Sequence, residues 1–407
     1  MPAYLDLPAG NAALKEYYDD QKVQNLAYDD NPAMVMIPKQ EDAEGKYYPV
    51  PVIYETSQGA SNTFANAQGN QSPMLLAEFL VPLRPDYGVA TLANQLMMAS
   101  QKSAGSFIDF STKYIDVALQ GSGNRIASAQ YRSGTGSLGA VSTIGAGVIV
   151  LTNAADVSQF GINQTLQASA TDGGAPRAAL GYVIARNVAA GSITVSATAM
   201  GGAAGTPAGW TAADFLLVQG DSNAKASGYA AWLPSVAPGA ADNFYGVNRS
   251  SDSRLYGLAY PGTAQPMEEA VIDAAMLVAR EKGKPKHILT NYGSYAALIK
   301  AMGARREFVD WKTEDAQIGF RGVKIEGPNG TIQVFPDRNC QSATAWLLQM
   351  NTWQMLSLGS TPQIFRYGDG LEMLRLGNAD ASEVRVGGYY NYSCNAPGWN
   401  SQITLGV

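Results

Sequence analysis

The chain has 407 residues, enough for two or three compact units with their own cores. Charged residues make up 15 % of it, against roughly 25 % in an average soluble domain, and the 21 Tyr and 6 Trp suit a protein that covers much of its surface with partners. A net charge of −6 with no basic run excludes a reader of nucleic-acid sequence, and two cysteines exclude a disulfide framework.

No secretory apolar region follows Met1, and no run nears the about 18 apolar residues of a membrane span. Synthesis in a reducing cytoplasm is expected.

Residues 1–45 read as an arm. Asn11 to Leu26 has helical stretches, and Asp29-Asp30-Asn31-Pro32 is a turn signal. The acidic pairs Asp19-Asp20 and Asp29-Asp30 read as caps rather than metal ligands. Val35 to Pro38 is apolar but too short to make a core alone.

Residues 46–85 read as a long hairpin. Lys46 to Glu55 and Met74 to Leu83 are strand-like, and Ser57 to Ser72 is an uncharged tip of Gly, Ala, Ser, Asn and Gln with one Phe. Pro49 and Pro51 lie two apart, so their missing N–H groups fall on one edge of the first arm and mark it as an outer strand. A two-stranded ribbon is marginal in water by itself. It is expected to rest on another copy of the same chain, with Lys46, Tyr47, Pro49, Pro51, Tyr54, Gln58, Phe64, Gln68, Gln71, Phe79 and Arg84 as the contacts.

Residues 86–133 hold the most helical sequence. Arg84-Pro85-Asp86-Tyr87-Gly88 reads as a turn, and Leu92, Leu96 and Ala99 share a face of a short helix. A longer helix is predicted over about 104–131, with Phe107, Phe110, Tyr114, Ala118, Ile126 and Ala129 as its buried stripe. Gly121 and Gly123 should loosen its middle.

Ser133 to Gly139 contains a G-x-G-x-x-G string. A dinucleotide fingerprint needs a strand before it and a helix after it; here the order is reversed, so the string reads as a linker. Residues 134–222 then read as a small all-β domain inserted into the chain, with short strands near 148–151, 166–170, 179–185, 192–197 and 215–218.

Residues 223–350 read as an α/β unit. Pro266-Met267-Glu268-Glu269 opens a helix whose Ala270, Val271, Ala274, Ala275 and Val278 line one face. A strand at His287 to Thr290 and a helix to Met302 follow. Pro328-Asn329-Gly330 marks a hairpin. Residues 351–407 read as strands returning to the neighbourhood of the long helix.

Catalytic chemistry finds little footing. His287, the sole histidine, sits in a predicted strand, and any Ser-His-Asp or Cys-His triad would have to use it. There is no Cys-x-x-C for zinc and no Walker A loop. Cys340 and Cys394 read as core thiols, and Glu268 with Glu269 as first-turn residues. No enzyme, cofactor or metal site is expected.

The order of elements resembles the major capsid proteins of tailed bacteriophages, with the Hong Kong 97 fold. Local wording carries the likeness too: Glu16-Tyr-Tyr-Asp-Asp-Gln-Lys-Val-Gln-Asn25, Tyr47-Tyr-Pro-Val-Pro-Val-Ile-Tyr54 and Gly387-Gly-Tyr-Tyr-Asn-Tyr-Ser-Cys-Asn-Ala-Pro-Gly-Trp399.

The resemblance implies an α+β capsid fold. Its parts would be an N-terminal arm (1–45), an extended loop (46–85), a peripheral domain with a spine helix (86–133), an inserted β domain (134–222), an axial domain (223–350) and return strands (351–407).

It also implies a non-enzymatic subunit assembling as hexamers and pentamers into the icosahedral head around double-stranded DNA, built in the host bacterial cytoplasm and resident in the virion. Its partners would be other copies of itself, a separate scaffolding protein, a portal and a decoration protein, with no membrane. The competing reading is a tail or surface adhesion protein whose β insert binds a receptor or glycan through Trp210, Tyr182 and Phe160; those three also read as the insert's core.

Overall fold

The computed structural model describes residues 31–93, 104–302, 308–312, 319–366, 373–376 and 380–406. The acidic pairs, Leu96, Ala99 and the arm before Asn31 lie outside them.

Helix α1 (Pro32–Met36) has Pro at its first turn, where a missing N–H costs nothing. Its residues are buried in the main core rather than forming one of their own. After β1 (Lys39–Gln40), the hairpin is β2 (Tyr48–Glu55) and β3 (Leu75–Val81), and its tip carries a short helix, α2 (Phe64–Gly69).

β4 spans Arg84–Ala93, so the expected turn and the start of the expected helix are strand instead. Pro85 is tolerated because β4 pairs on one side only, with the strand Ala381–Cys394, among the described residues.

Helix α3 (Ala104–Tyr131) has 28 residues and runs about 40 Å at 1.5 Å per residue. Ile126 and Ala129 are buried on it as expected, joined by Ile115, Leu119 and Tyr131, whereas Ala118 is only half-buried and the side chains of Phe107, Phe110 and Tyr114 lie outside those described.

The insert is a closed barrel of β5 (Ser137–Gly145), β6 (Val148–Leu151), β7 (Thr165–Ser169), β8 (Gly181–Asn187), β9 (Ser192–Ser196) and β10 (Phe215–Val218), in the order β10-β5-β6-β9-β8-β7. Ser137 to Gly139, read as linker, already belongs to β5. The strand is masked in sequence by Gly139, whose added Cβ would lie 3.2 Å from the Asp156 Cβ.

Beyond α4 (Tyr229–Trp232) the chain builds a seven-stranded sheet. Its strands are β11 (Leu258–Gly262), β12 (His287–Thr290), β13 (Phe308–Lys312), β14 (Gly319–Gly327), β15 (Gly330–Pro336), β16 (Thr344–Leu348) and the C-terminal β21 (Ser401–Leu405), ordered β11-β21-β16-β12-β15-β14-β13.

Helices α5 (Met267–Arg280) and α6 (Tyr292–Met302) pack on it. The five expected apolar positions of α5 are buried there, an arrangement driven by removing one stripe from water.

The other sheet centres on β20 (Ala381–Cys394), buried along nearly its whole length, with β17 (Trp353–Ser357) joined by β1, and with β18 (Gln363–Ile364), β19 (Met373–Arg375) and β4 beside it. The return segment is therefore split: β21 leaves this sheet and pairs with β11 and β16 in the other. Its alternating burial fits either sheet, so local pattern could not choose between them.

Candidate assembly surface

The hairpin register runs from Tyr48↔Val81 to Ile53↔Leu76. Side chains alternate across a strand, so this register sorts the ribbon into two faces. Val50, Val52, Phe79 and Val81 point to one face and are buried, with Tyr54 half-buried beside them. The Phe79 ring centre is 5.0 Å from that of Trp232 and 6.2 Å from that of Phe244.

The expectation that the ribbon lacks a partner in its own chain is corrected here. Its inner face completes its own subunit's core. Phe79 in particular is consumed there and is not available to a neighbour.

The opposite face is Pro49, Pro51 and Ile53 against Leu80, Glu78 and Leu76, all exposed, with Ile53 at 60 % and Leu76 at 54 %. Met74, two residues before Leu76, is exposed as well. Sequence reasoning found the prolines but missed Ile53, Leu76 and Leu80. The signal was available: the alternate positions on both arms, Glu78 apart, remain apolar where one ribbon needs only one buried face.

Neither proline can donate to β3, so Pro49 and Pro51 fall at non-hydrogen-bonded pairs with their carbonyls turned outward. Leu80, opposite Pro49, shows the same polarity: its N–H donates away from β2, to the Tyr245 carbonyl at 3.0 Å. The free edge of β2 therefore offers acceptors without donors at two successive outward positions. Beside it lies a groove of about 440 Å³ lined by Pro51, Ile53, Arg254 and Trp399 among others.

At the tip, Gln58 bridges to Ser72, donating its N–H to Ser72 Oγ at 3.2 Å and its Nε2–H to Glu55 Oε1 at 3.2 Å. Glu55 is held by Arg254 at 2.9 Å, whose guanidinium keeps the carboxyl below its ordinary value. Phe64 is 83 % exposed on α2, and Gln68 and Gln71 are exposed near it.

Lys46 Nζ lies 5.1 Å above the Tyr47 ring at the ribbon's base. Arg84 starts β4 half-buried, and its Nε is buried without a hydrogen-bond partner among the described residues. The proposed contacts thus separate into an outer face and tip (Pro49, Pro51, Gln58, Phe64, Gln68, Gln71), an exposed base (Lys46, Tyr47) and residues built into the subunit (Tyr54, Phe79, Arg84).

A second exposed apolar surface lies on β4. Tyr87, 56 % exposed, has its ring 5.8 Å from Phe365 and 5.9 Å from Tyr389, with the two tyrosine hydroxyls 3.0 Å apart.

In the insert, Trp210 and Phe160 are buried in the barrel's core, and the Trp210 indole N–H donates to the Ala179 carbonyl at 3.2 Å. Only Tyr182 of the three adhesion candidates is partly exposed.

His287 opens β12, stacked on Phe335 at 6.3 Å. Cys340 and Cys394 are buried free thiols, and burial pushes the Cys394 thiol up to about 12. Among the described residues no cluster of His, Cys, Asp and Glu could hold a metal, and no helix is long and apolar enough to cross a membrane.

Residues 218–368 match the model of the SU10 major capsid protein family. No curated protein matches the chain in sequence. Among solved structures it is similar to the cyanophage A-1(L) capsid asymmetric unit, at TM-score 0.52 and 12 % identity over 92 % of each chain.

It also aligns with the capsid of the native GTA particle (TM-score 0.46, 9 % identity, 96 % of this chain and 91 % of that one). A third is the capsid of Myoviridae phage XM1 (TM-score 0.43, 8 % identity, 93 % and 92 %). The likeness to the cyanophage capsid speaks for the fold alone, a mixed α and β capsid fold of Hong Kong 97 type.

Proposed function

We infer that this chain is a major capsid protein of the tailed-bacteriophage type, a structural subunit of the virion. We propose that it closes its shell by laying the outer face of the 46–85 hairpin on a neighbouring copy. The observation that carries this is the sorting of the ribbon: one face buried in its own subunit, the other apolar and exposed. Exposed contiguous apolar surface marks an interaction site, and an obligate interface resembles a core cut in half.

In this reading residues 223–350 form the unit facing the ring centre, and β4, α3 and β20 form the periphery. Copies assemble as hexamers and pentamers into an icosahedral head that holds double-stranded DNA without reading its sequence, consistent with the absence of a basic run. A separate scaffolding protein and a portal act during assembly in the host bacterial cytoplasm. The role is structural rather than catalytic. The adhesion reading is not favoured, because Trp210 and Phe160 are committed to the barrel core.

Light-scattering mass and negative-stain imaging of the purified protein test this. Rings or shells are expected. A species that stays monomeric even with its scaffolding protein overturns it.

A further inference from the structure

The inserted barrel enters and leaves the chain through two stems, 133–136 and 219–228. Both are fixed to the body by buried charge. On the incoming side, Arg132, immediately after α3, donates to Asp156 of the barrel at 2.9 Å, with exposures of only 12 % and 6 %. Three residues on, Gln159 donates to Asn339 of the β15–β16 connection at 3.3 Å.

On the outgoing side, Lys225 contacts Asp86 of β4 at 2.9 Å and Asp221 at 3.1 Å. Arg125 of α3 closes on the same Asp86 carboxylate at 2.9 Å. Asp86 is only 2 % exposed, so losing both cations would leave an unpaired charge in low dielectric.

The stems also hold each other. Asn223 N–H donates to the Thr135 carbonyl at 3.0 Å, and Gly228 N–H to the Arg132 carbonyl at 2.9 Å. Approach is so close that a Cβ at Gly136 would lie 2.3 Å from the Asp221 carbonyl, and one at Gly228 2.1 Å from the Gln130 carbonyl. A flexible tether would use extended, solvated linkers rich in Gly or Ser. These stems are rich in Gly and Ser too, but they are held by hydrogen bonds and ion pairs rather than solvated along their length.

We propose that the barrel is keyed to the C-terminal half of the α3 spine by two buried ionic clasps, Arg132–Asp156 and Arg125–Asp86–Lys225, so that it moves with the spine as one rigid body rather than as a tethered appendage. Any rearrangement that turns the spine would then turn the barrel with it. The inference stands on the stems' geometry and does not depend on the shell reading.

The test is a distance measurement by pulsed electron spin resonance on full-length, unassembled subunits. Both native cysteines are buried, so labels can be directed to Val188→Cys on the barrel and Val117→Cys on α3, both exposed in the native chain.

A single narrow distance distribution is expected in the otherwise wild-type chain. It should broaden and shift in the isosteric Asp86→Asn/Asp156→Asn variant with the barrel still folded. A broad or multi-peaked distribution in the wild-type background overturns the proposal, whatever the variant does. So does a distribution that stays narrow and unshifted in a folded Asp86→Asn/Asp156→Asn chain.

Discussion

Pro49 and Leu80 face each other across the hairpin without exchanging hydrogen bonds: the proline has no N–H, and the leucine sends its own to the Tyr245 carbonyl at 3.0 Å. The ribbon is thereby anchored to its own subunit along β3 and left short of donors along β2. Two successive outward positions that accept without donating make a poor template for a further strand, a known protection against edge-to-edge aggregation.

Restoring the two donors should remove that protection. The Pro49→Val/Pro51→Val variant is expected to fold, because the inner face is untouched, but to aggregate at lower concentration as an unassembled subunit. Turbidity against concentration checks this. Unchanged solubility would show that the prolines serve another purpose.

The two faces of the ribbon should separate stability from assembly. Phe79→Ala empties a site packed by Trp232 and Phe244 and is expected to cost the unassembled subunit about 3–5 kcal/mol. Ile53→Ser and Leu76→Ser, on the exposed face, should stay within about 0.5 kcal/mol of wild type while reducing shell yield. Chemical denaturation alongside assembly yield measures both. Wild-type assembly in the Ile53→Ser and Leu76→Ser variants, with loss only where stability is lost, would contradict the division.

His287 supplies a pH dependence that one resonance can follow. Burial, then the neighbouring Lys286, holds its imidazole below the ordinary value, and its Nδ1 is buried without a partner among the described residues. A lowered histidine pKa means that the unfolded chain binds more protons in the window beneath the ordinary value of about 6.5. Stability is therefore expected to fall as pH drops through that window and to be level above it. His287→Gln should flatten this slope, read as melting temperature against pH.

Asp337 is a buried carboxylate with two donors. It accepts from the Tyr131 hydroxyl at 2.8 Å and from the Asn339 N–H at 2.8 Å, which ties the C-terminal end of α3 to the β15–β16 connection. Burial nevertheless pushes its carboxyl up. The charge therefore works against folding above the ordinary carboxylate range, and stability from this group grows as pH falls through its raised value.

Asp337→Asn keeps an acceptor and removes the charge, so melting at neutral pH should be equal or higher. Asp337→Ala strands the donors and should cost about 1–3 kcal/mol. Equal melting temperatures for the two variants would argue against a structural role for those two hydrogen bonds.

Elements governed by local chemistry were legible. The strand His287–Thr290, the apolar stripe of α5, the Pro328-Asn329-Gly330 hairpin and the long helix from 104 to 131 all lie where period and turn residues place them. What was illegible is tertiary in origin.

Asp86 and Gly88 resemble turn residues, but Asp86 is the buried centre of an ion cluster. Gly88 is small because Arg125 crosses it; a Cβ there would lie 2.8 Å from Arg125 Nη2. The strand β4 was hidden by residues chosen for that crossing. The hairpin's prolines announced an outer strand, whereas the side of the ribbon belonging to its own core became visible only with Trp232 and Phe244 in place.

The most direct test of the central claim is an electron cryomicroscopy map of the assembled particle, compared with the yield from a chain lacking Gln58 to Gln71. The expected map shows the outer face of each hairpin, Ile53 and Leu76 included, covered by an adjacent copy, and the shortened chain stays soluble but assembles poorly. Shells in which that face meets only solvent, or a shortened chain that assembles at wild-type yield and stability, would contradict it.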